Sequence, residues 1–152
     1  QAQSALIAPG SPVTALRELF GELLRLPGTV RHIAALMSGA GIRYDPATEH
    51  PVDGRWAPDV ELADGVRLAE LTRTARPLLL DFTGSLGDEL RGWTGRVDLV
   101  TARAAGEAPA TAMLLRPDCY VAWASSSPEP DGTERKALRA ALERWFGTPV
   151  DA

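Results

Sequence analysis

Thiols are almost missing from this chain. Cys119 is its only cysteine among 152 residues, so no disulfide can close within it, and a reducing, cytoplasmic setting is the expectation. Histidine is nearly as scarce: the two are His32 in VRHIA and His50 in ATEHP. Neither belongs to a set of Cys, His and carboxylate residues at metal-ligand spacing, so both read as surface or capping residues. Positive charge is in deficit. Lys and Arg number 16 against 20 Asp and Glu, a formal net charge of −4, which argues against a nucleic-acid binder or a protein of anionic membrane surfaces. No apolar run approaches the roughly 20 residues that cross a bilayer. The opening QAQSALIAPG lacks the basic region of a secretory signal. Repeats and low-complexity tracts are also absent. The length suits one ordinary domain with an appendage, long enough for a real core.

Recognisable catalytic motifs are lacking too. There is no G-x-S-x-G elbow. GSLGDEL has neither the Gly-Lys pair nor the spacing of a P-loop. No G-x-G-x-x-G follows a strand. Ser125–Ser127 reads as a loop. Asp88 and Glu89 stand at a helix start, where they complement the helix dipole. Cys119 follows Asp118 at a hairpin turn, in a slot that glycine often fills. Arg116 is near it in sequence, but no helix begins there to depress the thiol pKa. Trp56, Trp93, Trp123 and Trp145 could make a ligand platform, yet they fall on different elements and read as packing. The residues themselves therefore nominate no catalytic, cofactor-binding or metal-binding side chain.

What is present is periodicity. Leu16, Leu19, Phe20, Leu23 and Leu24 fall at i, i+3, i+4, i+7 and i+8, one apolar stripe of a helix. Ser11 or Thr14 can cap it, and Pro27 ends or kinks it. A second helix is expected over Thr29 to Ser38, with Val30, Ile33, Ala34 and Met37 on one face and Gly39 to Gly41 as its stop. Asp45 to Pro58 carries Pro46, Pro51 and Pro58 without periodicity and reads as an extended linker. Then come a short strand, an Asp64-Gly65 turn and a short helix over Leu68 to Thr74. Pro77 to Phe82 reads as a buried strand, Ser85 to Trp93 as a helix with Ser85 and Asp88 as a capping pair, and Val97 to Ala102 as a strand. Ala112 to Leu115 and Tyr120 to Ala124 make a hairpin around RPDC. A last helix starts at Asp131, paired with Glu134, and carries Leu138, Ala141, Leu142, Trp145 and Phe146 on one face. Strands and helices in this order predict an α/β fold, a mixed sheet flanked by helices.

GRWAPDVELADGVRLAEL resembles the opening of peroxiredoxin-like and other thioredoxin-fold domains, and LLLDFTGSLGDEL resembles their catalytic strand and helix. Against a thioredoxin, Gly87 and Leu90 stand where the two cysteines would be. Against a peroxiredoxin, Leu86 takes the thiol position. Thr111 stands near the slot of the proline that precedes the hairpin in active thioredoxins, with Pro109 displaced. A broader resemblance covers nearly the whole chain. QAQSALIAPGSPVTALRELFGELLRLPGTVRHIAALMSGAGIRYD, HPVDGRWAPDVEL, LLRPDCYVAWA and LRAALERWFG, in that order, are similar to the C-terminal part of FAD-dependent aromatic-ring hydroxylases of the p-hydroxybenzoate-hydroxylase type, notably those acting on aromatic polyketides. Cys119 departs from the glycine usual there.

This resemblance implies residues 1–44 as a helical segment leading out of a missing FAD domain, 45–57 as a linker and 58–152 as a thioredoxin-like domain without redox cysteines. FAD and NAD(P)H would serve the parent enzyme and not this fragment, which would not hydroxylate alone. The partner implied is the FAD-binding catalytic domain, with a homodimer as a further possibility. Two other readings stand beside it: a free-standing thiol protein using Cys119, and a stand-alone interaction module. The leucine stripe represents on the order of 8–15 kcal/mol of gross burial energy. The helix must then fold back on residues 58–146, pair with a second copy or fray.

Overall fold

The computed structural model describes residues 11–39 and 41–150 and divides the chain into two compact units, with the boundary between Ile42 and Arg43. Unit 1 is a helical pair, α1 (Ser11–Leu23) and α2 (Pro27–Ser38). Thr14, one of the two expected caps, stands inside α1, and the side chain of the other, Ser11, is outside the described residues. Pro27 both ends the connection and opens α2, because a proline at a helix start loses no hydrogen bond. Gly39, at φ 73°, closes α2 in the left-handed conformation that glycine adopts freely. No residue of α2 is buried. Leu16, Leu19, Leu23, Leu24, Leu26, Val30, Leu36 and Met37 are all exposed.

Unit 2 is built on a four-stranded sheet: β1 (Leu78–Asp81), β2 (Asp98–Thr101), β3 (Ala112–Leu115) and β4 (Val121–Ser125), in the order β2-β1-β3-β4. β1 and β2 are parallel, with Leu79 opposite Leu99; β1–β3 and β3–β4 are antiparallel. This is the mixed α/β, thioredoxin-like sheet that the sequence predicts. All four residues of β1 and of β3 are buried, as a central strand covered on both faces must be. One face carries Leu79, Leu114 and Trp123 against Leu138, Ala141 and Leu142 of helix α4 (Gly132–Phe146). The other carries Leu78, Leu80, Met113 and Leu115 against Val60, Leu62 and Leu68. Leu68 begins the short helix α3 (Leu68–Leu71), which runs into a 3₁₀ turn over Thr72–Thr74.

α4 starts where expected. The Asp131 side chain accepts the Thr133 and Glu134 amides while Glu134 accepts the Asp131 amide, a reciprocal cap that satisfies otherwise unpaired N–H groups. At the far end Arg96 donates to the carbonyls of Phe146 and Thr148, placing a cation at the negative end of the helix.

The end of the stretch expected as a linker, 45–57, pairs with the chain at the start of β4: Gly54 N–H donates to Val121 O, Val121 N–H to Arg55 O, and Ala57 N–H to Cys119 O. An exposed strand edge attracts any backbone able to pair with it, and proline-rich sequence between the pairing points hides that capacity. Gly54 is needed there. Its φ is +74°, and a Cβ would come within 2.2 Å of Tyr44 O. One expectation is corrected: the Ser85–Asp88 capping pair does not form. The segment is a 3₁₀ helix, Gly87–Trp93, preceded by Leu86 with no side-chain cap. Ser85 Oγ bonds Thr83 Oγ1 instead, and Asp88 pairs with Arg91.

Candidate functional site

The corner where this scaffold would carry a thiol lies between β1 and the 3₁₀ helix. The last residue of β1, Asp81, is fully buried. Its Oδ1 accepts the Thr83 amide at 2.8 Å, the Thr83 hydroxyl at 2.6 Å and the Gly84 amide at 3.0 Å. Its Oδ2 accepts the Leu86 amide at 2.9 Å. A carboxylate that accepts three backbone N–H groups and a hydroxyl satisfies the amides of the turn 82–86 and holds it in one shape. Leu86 and Leu90 are buried in the core against Trp93 and Leu138. Gly87 lies against Leu99, 3.5 Å from where its Cβ would be. Glu89 ties the corner to α4 through Arg135 at 3.2 Å and Arg139 at 2.6 Å. Thr111, near the proline slot, donates to the carbonyls of Ser125 and Ser127. The corner thus holds packed leucines where a thiol would need a reachable surface.

Cys119 sits in the β3–β4 turn with φ 63°, the left-handed region for which the sequence position already suggested glycine. The Arg116 guanidinium beside it in sequence is engaged with Asp118 and stacks over Trp145, 4.1 Å from the ring centroid, and Tyr44, 4.7 Å. Tyr44 meets Tyr120 edge to face at 4.7 Å, and Trp56 meets Tyr120 at 5.5 Å. The four tryptophans do not converge. Trp93 and Trp123 are core residues, Trp93 donating its indole N–H to Gly147 O. Only Trp56 and Trp145 flank this aromatic cluster, and Trp56 is exposed.

His32 is an exposed residue of α2. His50 is engaged: its Nδ1 accepts the Val52 amide at 3.3 Å, so its Nε2–H donates to Ser126 Oγ at 2.7 Å. A ring in that tautomer cannot take a proton from the serine, so the pair is a clamp and not a nucleophile with its base. Burial pushes the His50 pKa down, against the opposing charge of Asp53. Asp53 is itself fully buried. Its Oδ2 accepts the amide and hydroxyl of Thr48, its Oδ1 has no partner, and burial pushes its pKa up against the Thr48 bonds. Among the described residues no group of three or more His, Cys, Asp or Glu is placed to hold a metal.

The family model for the aromatic-ring hydroxylase C-terminal domain matches residues 50–149. The chain belongs to that family. Over 99% of its length it is 42% identical to the anhydrotetracycline monooxygenase of Streptomyces rimosus, covering 31% of that protein. It is 34% identical to a rifampicin monooxygenase of Streptomyces venezuelae, over 97% of this chain and 29% of the relative. The solved structure of the Streptomyces rimosus anhydrotetracycline hydroxylase matches with a TM-score of 0.81 at 41% identity, over 98% of this chain and 32% of that one. An aromatic hydroxylase from angucycline biosynthesis matches with a TM-score of 0.78 at 38% identity, over 99% of this chain and 32% of that one. The chain thus spans about a third of the length of these relatives.

A dinucleotide's pyrophosphate sits on free N–H groups at the turn after a parallel strand. Among the described residues the one parallel pair is β1–β2, and the N–H groups of its turn, Thr83, Gly84 and Leu86, are already taken by Asp81, so this turn does not fit a flavin's pyrophosphate.

Sequence reasoning passed over Asp81, Asp53 and the Tyr44–Tyr120–Arg116 stack. Asp81 had a signal, since Asp-x-Thr-Gly at a strand end is a side-chain-to-backbone turn. Asp53 bonds Thr48 only five positions away, inside a proline-rich stretch without periodicity, and the stack had no local signal because Tyr44 is far along the chain from Arg116 and Tyr120.

Proposed function

We propose that this chain is the non-catalytic, C-terminal docking module of a cytoplasmic FAD-dependent aromatic-ring hydroxylase of aromatic polyketide metabolism. FAD and NAD(P)H act in the remainder of the parent polypeptide, and the FAD-binding domain is its partner. The observation that carries this reading is the corner at Leu86: a buried leucine holds the thiol position, and Asp81 has taken the N–H donors around it. The exposed leucines of unit 1 support it, because a helical pair with so much uncovered apolar surface calls for a partner.

Insulin reduction, peroxide turnover and equilibrium dialysis with FAD test the reading on this chain. No turnover and no tight flavin binding are expected. Turnover abolished by Cys119→Ser would replace the reading with a thiol enzyme, and a stoichiometric yellow complex would also overturn it.

A further inference from the structure

Among the described residues of unit 2, four large apolar side chains are exposed: Tyr44, Trp56, Leu99 and Val150. Two of these, Tyr44 and Trp56, meet through Tyr120 in one aromatic cluster. Trp56 is 51% exposed, although its backbone is fixed in a bridge to Tyr120, the residue before β4. The turn before it is tight: Tyr44 N–H donates to Gly54 O at 2.7 Å, and Gly54 holds a positive φ that leaves no room for a side chain. A large indole on a rigid backbone loses little freedom when covered, which is what an interface anchor requires. Arginine and aromatic residues, the types present here, are those enriched at interface centres.

Beside the indole lies a hollow of about 170 Å³, whose lining includes Trp56, Pro58, Leu68, Ala69 and Cys119, with the Asp59 carboxylate, paired to Arg67, on its wall. Small-molecule sites start at about 300 Å³, so the hollow suits one protruding side chain from a protein surface. The occupant follows from the length of polypeptide outside the chain. The relatives align with nearly all of this chain, yet it makes up only 31% of one and 29% of another. The family is described as a C-terminal domain, so in those relatives the greater part of the polypeptide lies outside the matched region.

We propose that Trp56 and the hollow beside it are the contact on which the flavin-bearing part of the parent polypeptide seats, through an apolar side chain placed against Pro58 and Leu68. This rests on the docking role proposed above. The test is hydroxyl-radical footprinting of the full-length parent enzyme, comparing native with urea-unfolded protein by mass spectrometry. A half-exposed indole would be protected about twofold; covered by a partner domain it is expected to reach about tenfold, near the buried Trp93, at every protein concentration. Protection of about twofold at Trp56 beside a well-protected Trp93 overturns the proposal. So does protection that disappears on dilution, which would assign the face to a second copy of the enzyme. Either failure leaves the thiol and flavin assays untouched, so the docking role and this contact fall separately.

Discussion

Unit 1 and unit 2 both carry leucine at helical or strand spacing, and they use it in opposite ways. In unit 1 the leucines of α1 mark a clean stripe, and Leu16, Leu19, Leu23 and Leu24 remain exposed. In unit 2, Leu79, Leu80, Leu114, Leu115, Leu138 and Leu142 show essentially no surface. Periodicity reports that a face wants cover. It does not report whether the cover belongs to the same domain. Polar groups repeat the contrast: unit 2 buries Asp53, Asp81 and Ser125, and donors surround the Asp81 carboxylate on both oxygens. The expectation that the stripe folds back, pairs or frays reduces to one question, namely what covers it in the whole protein.

Asp81→Ala would sharpen this contrast most. It strands three amides in the interior of unit 2 at a cost of roughly 3–5 kcal/mol, read as a lower urea midpoint with an unchanged slope. A loss below about 1 kcal/mol would mean that the turn holds its shape without the carboxylate. Leu138→Ala comes next, at about 2–5 kcal/mol. Leu19→Ala should stay within about 0.5 kcal/mol, because its site keeps so much surface. Equal costs at the two positions would erase the distinction between the units. The double substitution Leu19→Glu with Leu23→Glu separates two fates of the stripe. If copies pair through it, light scattering falls to the smaller species with the fold intact. If the variant instead unfolds as a monomer, the stripe is internal core.

A smaller effect comes from Asp53. Its native pKa is raised by burial, so the folded state holds the proton more tightly than the unfolded chain does. The stability this contributes is present below the unfolded carboxylate pKa and is lost as pH rises through the folded one. Asp53→Asn should therefore flatten the pH dependence of stability between those two values relative to the parent sequence. His50 acts with the opposite sign. Its native pKa is lowered, so its contribution is present above the ordinary histidine pKa and fades as pH falls towards the folded value. An unchanged slope in Asp53→Asn would show that the carboxylate is hydrated. Cys119→Gly is the smallest change and the only favourable one. It relieves a positive φ and should raise stability by about 0.5–1 kcal/mol, seen as a melting temperature a few degrees higher. A drop would mean that the thiol packs in the hollow more than the backbone strains.

The sequence by itself determined the local elements. The stripe of α1, the buried run at Leu78–Asp81, the hairpin around RPDC and the Asp131–Glu134 cap were all legible, because each is specified by residues within a turn or two of one another. The absence of a cysteine at Leu86, Gly87 and Leu90 was legible for the same reason. What only the tertiary structure decided depends on distant partners. It paired the end of a proline-rich stretch with the start of β4, since Arg55 meets Val121 across the fold. It stacked Arg116 between Tyr44 and Trp145, residues about a hundred positions apart. Short-range order needs only propensity and spacing. Hydrogen bonds and ring contacts across such separations exist only after the chain has folded, and no local pattern encodes them.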